Sequence, residues 1–585
     1  MPLPACAHAV LSAVGDAIYP PPLGGKHAPD VLLSSLPKYI DTVIEGIESL
    51  PDHEVFESGM LMRALNTGPG TAAIFGVATL THFAGHDIES RARMLAGIRD
   101  SSLGDRRKIF NGLKRILAGT ALSYSVLSEE EILSRSGLKK QDINPMWEAI
   151  GYMGPPIVHE GAKKDTDPVI TDKYEFPSKH TTTVYDYVVC GSGSGGSVVA
   201  ATLTEKHPGC SVLLIEKGTP VQNDKLTQVE SQGMGKYYEK GSLLTSTDGH
   251  MMILAGSCLG GGSTVNWGCS LDTPAYVRDE WAGELGMPQF GRGEEGKAFD
   301  AAMATVKKVM GVHSDVVHNG MNTRLIAGCD KMGYKWKVDV KVGGEEVTFR
   351  AKVAVVVSAG SLCTPCVLQR SGFKNKNIGE NLRLHPVTGI MAECEEDVMG
   401  YCGAPMTTVC TEIEMGLKGD GYGPKLECPS VHTGVMAAAL PWTNGKEFRE
   451  ALEHGNNLTS VIVLQRDKGG GKVTCSADGF SPKVDYVVGK EDSDNIVEGM
   501  KRAFDILRHA PGVKRISTCH PKQDVFVVGE SDVQKFYDQI DELGTQINGL
   551  GMFCAHQMGS CRMGKDPYMG AVDEDGQLWE ADGVR

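Results

Sequence analysis

The sequence has no excess of basic residues. Its 58 lysines and arginines are outnumbered by 73 aspartates and glutamates, which gives a formal net charge of −15. Proteins that bind nucleic acid neutralise phosphates with clustered lysine and arginine, so this composition argues against a nucleic-acid partner. The 585 residues, 41% of them hydrophobic, are enough for two or three domains with a sizeable core.

Long apolar runs are also missing. The longest weakly polar stretch, residues 71–85, contains threonine and histidine and is shorter than the about 20 residues that a membrane-spanning helix needs. No basic cluster precedes the first apolar segment, so no secretory signal is predicted. These absences predict an intracellular protein without a transmembrane helix.

The sixteen cysteines follow no repeated metal-binding spacing, and no metal site is predicted. In a chain of this length they indicate reduced, buried thiols of an intracellular protein rather than a disulfide framework. Cys363 and Cys366 have the spacing of a thioredoxin-like motif. They follow a strand that ends in Ala-Gly-Ser, which is not the setting of that motif, so a redox role is disfavoured.

What the sequence does contain is a strand–turn–helix–strand unit at residues 185–218. A buried strand at 187–190 leads into a GxGxxG turn, and a second strand at 211–215 ends at Glu216. The glycines permit the turn, close approach to a pyrophosphate and tight helix–strand packing, and the helix N-terminus attracts phosphate. Glu216 can accept hydrogen bonds from ribose hydroxyls. The unit predicts a dinucleotide site without distinguishing NAD from FAD. Its assigned residues are Gly191, Ser192, Gly193, Ser194, Gly195, Gly196, Ser197 and Glu216.

A second glycine-rich stretch ends in LGGGSTVNWG, at residues 259–268. Consecutive glycines expose backbone N–H groups and allow a flat or anionic ligand to approach closely. Trp267 fits either stacking against a ring or ordinary packing. The predicted ligand contacts in this stretch are Gly260, Gly261, Gly262, Ser263 and Asn266.

Composition and periodicity predict the domain organisation. Residues 1–150 are predicted to be helical, 151–183 to be a linker, 184–390 to form the nucleotide-binding domain, to which 546–585 return, and 391–545 to form a second domain. The second domain is expected to be an antiparallel sheet lying over the first, a usual place for a substrate pocket. The fold class is therefore α/β, with a Rossmann-type domain, an antiparallel-sheet domain and a helical N-terminal region.

Local patterns predict individual elements. Residues 336–350 are predicted to form a β-hairpin and 353–357 a buried strand that is followed by a helix. Further strands are predicted at 460–464, 472–475 and 483–488, and an amphipathic helix at 493–507.

Residues 105–127 are predicted to form an amphipathic helix. Its apolar face comprises Ile109, Phe110, Leu113, Ile116 and Leu117. The opposite face carries Arg106, Arg107, Lys108, Lys114 and Arg115. Such a face can touch an acidic membrane surface, but an ordinary solvated helix face is the preferred interpretation.

Four motifs together resemble the glucose–methanol–choline (GMC) family of FAD oxidoreductases, and more narrowly its long-chain (fatty) alcohol oxidase branch. They are YDYVVCGSGSGG with LLIEKG, GSCLGGGSTVNWG, SAGSLCTPCVLQRSG with NIGENLRLHPV, and AHQMGSCRMG with GAVDEDGQLWE. NPMWEAIGYMGPP and YGPKLECPSVHTG add to the resemblance to the branch. The combination implies FAD rather than NAD.

The resemblance implies oxidation of a long-chain alcohol to an aldehyde by hydride transfer to flavin N5, with O2 reduced to hydrogen peroxide. It assigns the residues named above to FAD and His556 to the catalytic base, a role that suits a group with a pKa near neutral. His385 and His520 are weaker candidates, for which structural roles are preferred. A fatty substrate also suggests association with a membrane surface through the N-terminal helical region.

The chain departs from the family pattern in two places. No position matches the second catalytic residue, an asparagine or histidine, that the family carries after the WE element, and a longer cysteine-rich segment near 322–340 is missing. We expect a truncated chain with an unpaired sheet edge and weakened FAD retention. A GMC-type dehydrogenase with another electron acceptor and a non-catalytic remnant stay open as alternatives. An NAD-dependent dehydrogenase is disfavoured, because NAD-dependent enzymes do not require the GGGSTVN and AHQMGSCRMG motifs.

Overall fold

The computed structural model describes residues 2–20, 32–50, 52–135, 137–155, 185–221, 226–309, 318–332, 336–338, 353–429, 432–476 and 481–585. Most of the linker predicted at 151–183 and of the hairpin predicted at 336–350 lies outside these residues.

Nine helices precede the first strand among the described residues, and strands and helices are interspersed after it. The helices are α1 (Ala7–Ile18), α2 (Tyr39–Glu48), α3 (Asp52–Leu65), α4 (Gly68–Phe75), α5 (Ile88–Arg99), α6 (Gly104–Ser123), α7 (Glu129–Ser134), α8 (Lys140–Ile143), α9 (Met146–Ala149), α10 (Ser194–Lys206), α11 (Glu230–Tyr237), α12 (Gly262–Val265), α13 (Ala275–Gly283), α14 (Lys297–Val309), α15 (Gly320–Met332), α16 (Gly360–Arg370), α17 (Thr433–Ala439), α18 (Gly445–Glu453), α19 (Lys490–His509) and α20 (Val533–Leu543). The strands are β1 (Tyr187–Cys190), β2 (Val212–Ile215), β3 (Met251–Ile253), β4 (Trp336–Val338), β5 (Ala354–Val357), β6 (Val387–Cys394), β7 (Thr408–Cys410), β8 (Pro424–Glu427), β9 (Leu458–Gln465), β10 (Lys472–Cys475), β11 (Pro482–Asp485), β12 (Val513–Thr518), β13 (Phe526–Val527) and β14 (Met552–Cys554). The α/β fold class is as predicted.

The nucleotide-binding half is built on a parallel sheet in the order β2-β1-β5. Val189, Val212 and Leu214 form its small core together with a residue of α10. The sequence predicted an unpaired sheet edge without naming the strand, and the free side of β5 pairs with residues 583–585. The N–H of Val355 donates to the carbonyl of Gly583 (2.8 Å), and the N–H of Arg585 donates back to the carbonyl of Val355 (2.9 Å). This part of the β5 edge is therefore paired.

The second half is an antiparallel sheet in the order β13-β12-β6-β9-β8-β7-β4. Strand β14 adds to the end of β6 and pairs in parallel with β3, so the sheet also draws strands from outside 391–545. The predicted amphipathic helix is α19, which packs on the sheet so closely that a Cβ at Gly499 would lie 2.5 Å from Val463. Strands β10 and β11 pair only with each other as a separate hairpin among the described strands. The domain boundaries stay predictions.

The N-terminal region is helical, as predicted, and it shares its core with the antiparallel half. Trp147 and Phe110 belong to the same buried cluster as Met436, Trp442 and Phe448. None of the helices among the described residues combines the length and the apolar character that crossing a bilayer requires.

Helix α6 buries part of its predicted apolar face, but its basic side chains do not form a uniformly solvated face. Each of them donates hydrogen bonds to backbone carbonyls elsewhere in the fold. The acceptors are Ala73 for Arg106, Ile547 for Arg107, Thr247 for Lys108, Ala438 and Leu440 for Lys114, and Gly249 for Arg115. Arg107 and Lys114 are buried, so the prediction of a solvated face was wrong for these two residues, whereas contact with a membrane surface stays a prediction. The basic residues hold α6 against the segments that it covers.

Candidate active site

A cavity of about 1780 Å³ lies between the parallel and the antiparallel sheets. One side is formed by the loop after β1 and by the triple-glycine loop. The opposite side is formed by β6, β9 and the loop at 555–559 that carries His556. The motifs singled out in the sequence therefore meet around one space.

The loop after β1 uses its glycines in three ways. Gly191 has a φ of +105°, and a Cβ there would lie 2.2 Å from the carbonyl oxygen of Ser358. A Cβ at Gly196 would lie 1.9 Å from the carbonyl oxygen of Gly191. At Gly193 a Cβ would meet nothing within 4 Å, and this residue faces the cavity. The first two glycines permit the turn and the helix contact, whereas Gly193 leaves room for a ligand.

Two hydrogen bonds join this loop to the triple-glycine loop. The backbone N–H of Gly260 donates to Oγ of Ser192 (2.9 Å), and the hydroxyls of Ser194 and Ser263 lie 2.6 Å apart. Ser192 in turn donates from its hydroxyl (2.7 Å) and its N–H (3.0 Å) to Oε2 of Glu216. Glu216 thus orders both loops and also faces the cavity.

The site fits a dinucleotide. Helix α10 begins after Gly193, which offers no side-chain cap, and Ser194 and Gly195 at its first turn line the cavity. Uncapped N–H groups at a helix N-terminus suit the phosphates of FAD. The predicted contacts that line the cavity are Gly191, Gly193, Ser194, Gly195, Glu216, Gly261, Gly262 and Asn266. The others, which do not line it, are Ser192, Gly196, Ser197, Gly260 and Ser263.

His556 faces the cavity across from a second histidine, His385. The two ring centroids lie 5.8 Å apart, and the rings are nearly perpendicular, at 82°. His556 is accessible from the cavity, yet the protein around it lowers its pKa below the ordinary value near 6.5. Burial, followed by the neighbouring His556, lowers the pKa of His385 to about 3. Both rings are therefore neutral near pH 7, and a neutral imidazole can accept a proton.

A buried carboxylate holds His385 in place. Oδ1 of Asp467 accepts the backbone N–H of His385 (3.1 Å), and Oδ2 accepts the N–H of Leu384 (3.1 Å) and the hydroxyl of Tyr486 (2.7 Å). His385 has a φ of +50°, a left-handed conformation that is unusual for a residue other than glycine. Sequence reasoning preferred a structural role for His385. Its place in the NLRLHPV motif was the available signal that it belongs to the site.

His520 does not line the cavity, and its Nδ1 accepts the N–H of Lys522 (3.1 Å). Trp267 does line the cavity and lies edge-on to His432, with 6.1 Å between the ring centroids.

Sequence reasoning missed a charged and aromatic cluster on the cavity wall. Arg466 pairs with Glu280 of α13 (2.8 Å), and its guanidinium lies 4.1 Å from the ring centroid of Tyr422. The hydroxyl of Tyr422 donates to the other oxygen of Glu280 (2.8 Å). These residues come from distant segments, so no sequence motif connects them. The cluster ties α13 to the antiparallel sheet at one side of the cavity.

All sixteen cysteines are free thiols, including Cys363 and Cys366. Within the described ranges, no three or more histidine, cysteine or acidic side chains are grouped so as to hold a metal ion.

Comparison with known proteins agrees with the site. Two models described as GMC oxidoreductase match the chain, one at residues 234–346 and 337–387 and the other at 468–585. Long-chain-alcohol oxidase FAO4A of Arabidopsis thaliana is 31% identical, over 68% of this chain and 64% of its own length. FAO3 of the same plant is 29% identical, over 68% of this chain and 63% of its own length. A formate oxidase structure from Aspergillus oryzae aligns with a TM-score of 0.49 at 16% identity, and the match covers 69% of this chain and 93% of that one.

The chain thus spans slightly less than two thirds of the length of those two plant relatives. The matched segments include the triple-glycine loop, His385 and His556. With both models of the family matched, the chain belongs to the GMC oxidoreductase family, and its cofactor is FAD.

Proposed function

We propose that this protein oxidises long-chain primary alcohols to aldehydes and uses O2 as the final electron acceptor. The balanced reaction converts RCH2OH and O2 into RCHO and H2O2. The observation that carries the proposal is the neutral pair His556 and His385 on the wall of a cavity that the two FAD loops also line. The relatives named long-chain-alcohol oxidases support the substrate class.

His556 is proposed to accept the hydroxyl proton of the alcohol. The protein around it lowers its pKa, so the ring is unprotonated at neutral pH, and its Nδ1 or Nε2 can take the proton as the C–H bond breaks. His385, whose ring lies 5.8 Å from that of His556, is proposed to orient the same hydroxyl group. The chemistry that FAD supplies when bound is the acceptance of a hydride from the carbinol carbon, with O2 as the final oxidant.

Fatty alcohols partition into bilayers, so the proposal includes uptake of substrate at a membrane surface. Arg107 and Lys114 of α6 are not assigned to this contact, because both are buried and bond to carbonyls of the protein itself.

The test is anaerobic addition of dodecanol to the purified, FAD-loaded protein while the visible flavin absorption is followed. We expect dodecanol to bleach the flavin bands, and air to restore them with one H2O2 formed per alcohol. The matched variant His556→Asn should retain FAD and bleach about 10²–10⁴-fold more slowly, which is the usual contribution of a general base.

Two results would contradict the proposal. If no primary alcohol from six to sixteen carbons bleaches the flavin of the loaded protein, the alcohol is the wrong substrate. If dodecanol bleaches the flavin but only a quinone, and not air, restores it, the enzyme is a GMC-type dehydrogenase. A His556→Asn variant that bleaches as fast as the wild type would remove His556 from the mechanism.

A further inference from the structure

The face of the antiparallel sheet that lines the cavity consists of three cross-strand rows. Val387 lies opposite Leu464, Gly389 opposite Ile462, and Met391 opposite Ser460. All six residues line the cavity. They stand at every second position of β6 and β9, so their side chains point to the same side of the sheet. Strand β6 begins two residues after His385, and the rows therefore lead away from the histidine pair.

Gly389 leaves the middle row without a side chain on β6. It lies in the sheet interior, between β9 and β12, where glycine weakens a strand. A Cβ there would meet nothing nearer than Sγ of Cys519, at an ordinary contact distance of 3.5 Å, and its φ is outside the left-handed region. Neither packing nor backbone conformation requires glycine. Glycine inside a strand marks a bulge, a bend or the close approach of a ligand or another backbone, and β6 keeps an unbroken register with β9 from Val387 to Glu393, so we take the approach of a ligand as the reason for Gly389.

Helix α17 lines the same cavity as these rows. Val435, Met436 and Ala439 line the cavity from this helix. The helix is packed closely on α6, since a Cβ at Gly434 would lie 2.8 Å from the carbonyl oxygen of Gly119.

Met391 stands in the row farthest along β6 from His385, and Met436 of α17 belongs to the same buried cluster. Met391 and Met436 are 8% and 4% exposed, and both line the cavity and also pack into the core of the N-terminal helices. The N-terminal region therefore supports the far end of this space.

We infer that the space between the β6–β9 rows and α17 is an alkyl channel that holds the hydrocarbon chain of the alcohol. The hydroxyl end lies at the histidine pair and the methyl end points toward Met391 and Met436. This inference rests on the proposed function. The four steps from Val387 to Met391 span about 13 Å at roughly 3.3 Å per residue. An extended chain advances about 1.3 Å per carbon, given C–C bonds of about 1.5 Å, so the channel takes about ten carbons.

The test compares primary alcohols of four to sixteen carbons as substrates of the FAD-loaded wild type and three variants. For the wild type, kcat/KM should rise about fourfold for each added CH2 that enters the channel and level off near ten carbons. The leucine side chain of Gly389→Leu would block the channel about halfway along its length. The rise of kcat/KM with chain length should therefore level off at about five carbons. The ratio of kcat/KM for dodecanol to that for hexanol should then fall at least tenfold.

Ala439→Leu provides a second variant in case Gly389→Leu does not fold. It narrows the channel from α17 and should lower the same ratio. Its matched control is Ala438→Leu, since the neighbouring Ala438 is also half-buried but does not line the cavity. The control should keep the wild-type ratio.

Binding of tertiary 2-methyl-2-alkanols, which have no carbinol hydrogen to lose, separates this inference from the proposed function. Binding that strengthens with chain length in the wild type and weakens in both channel variants would support the channel even if no alcohol were oxidised. Oxidation with an unchanged chain-length profile in the folded channel variants would overturn the channel while the proposed function stood.

Discussion

Replacing Asp467 by asparagine is expected to slow alcohol oxidation although both histidines remain. The two carboxylate oxygens of Asp467 accept three hydrogen bonds, from the N–H groups of Leu384 and His385 and from the hydroxyl of Tyr486. Asparagine has a single carbonyl oxygen, so at least one of these donors must face an NH2 group.

The expected loss of activity follows from the hydrogen bond between Asp467 and the N–H of His385, which helps to hold the His385 ring in place. A hydrogen bond to a charged group contributes about 1.5–3 kcal/mol. The left-handed conformation of His385 costs about 1–3 kcal/mol, which is comparable to the bond that its N–H makes. Loss of that bond therefore allows the backbone to relax and the His385 ring to leave its position 5.8 Å from His556. A penalty of about 1.4–2.8 kcal/mol in the transition state corresponds to a fall in kcat of about 10–100-fold.

The assay is kcat and KM for dodecanol per bound FAD, together with the pH profile. The chemistry still depends on His556, whose pKa burial lowers, so activity in both proteins should fall only as the pH drops below the ordinary histidine value. If Asp467 had a purely structural role, Asp467→Asn would instead lower the FAD content and the melting temperature and would leave kcat per bound FAD unchanged. Asp524→Asn is the control, because Asp524 pairs with Lys535 (2.8 Å) and neither residue lines the cavity. A kcat for Asp467→Asn within twofold of the wild type would refute the reasoning.

Two further changes test the FAD loops and the N-terminal region. In Glu216→Gln the side chain must turn an NH2 group toward either Ser192 or Gly218. We therefore expect the Kd for FAD to rise about 10-fold or more, as measured by flavin fluorescence titration. An unchanged Kd would contradict the role of Glu216 in ordering the FAD loops. Burial lowers the pKa of Lys114 to about 7, so unfolding takes up a proton between that pH and about 10.5, and wild-type stability rises with pH across this window. The rise in the free energy of unfolding is up to about 1.4 kcal/mol per pH unit, and Lys114→Met should remove it. Melting temperatures of both proteins at pH 7 and pH 9 measure the effect. Parallel pH profiles of the wild type and the variant would show that the amine is not buried.

The nucleotide-binding loop was predictable because its determinants are local. The strands β1 and β2 and the GxGxxG turn lie within residues 185–218, Gly196 packs against Gly191, and Gly191 packs against Ser358 directly after the neighbouring strand β5. The helix α19 and the strand β9 were predicted for the same reason, since periodicity reports which face of an element is apolar.

Periodicity did not show what the polar face of an element contacts. The basic face of α6 was read as solvated because lysine and arginine are rarely buried without partners. Its acceptors are backbone carbonyls, and the acceptor of Lys114 at Ala438 lies 324 residues further along the chain. No local pattern reports such a pairing.

The sequence by itself determined the α/β class and the glycine loop, because these depend on periodicity and glycine geometry, and it singled out His556, whose catalytic role stays a prediction. Only the tertiary structure decided that His385 faces His556, that Asp467 holds it there, and that Gly389 opens the sheet toward α17. These arrangements join residues from separate strands and helices. Their hydrogen bonds and contacts exist only after the two sheets and the N-terminal helices have packed together.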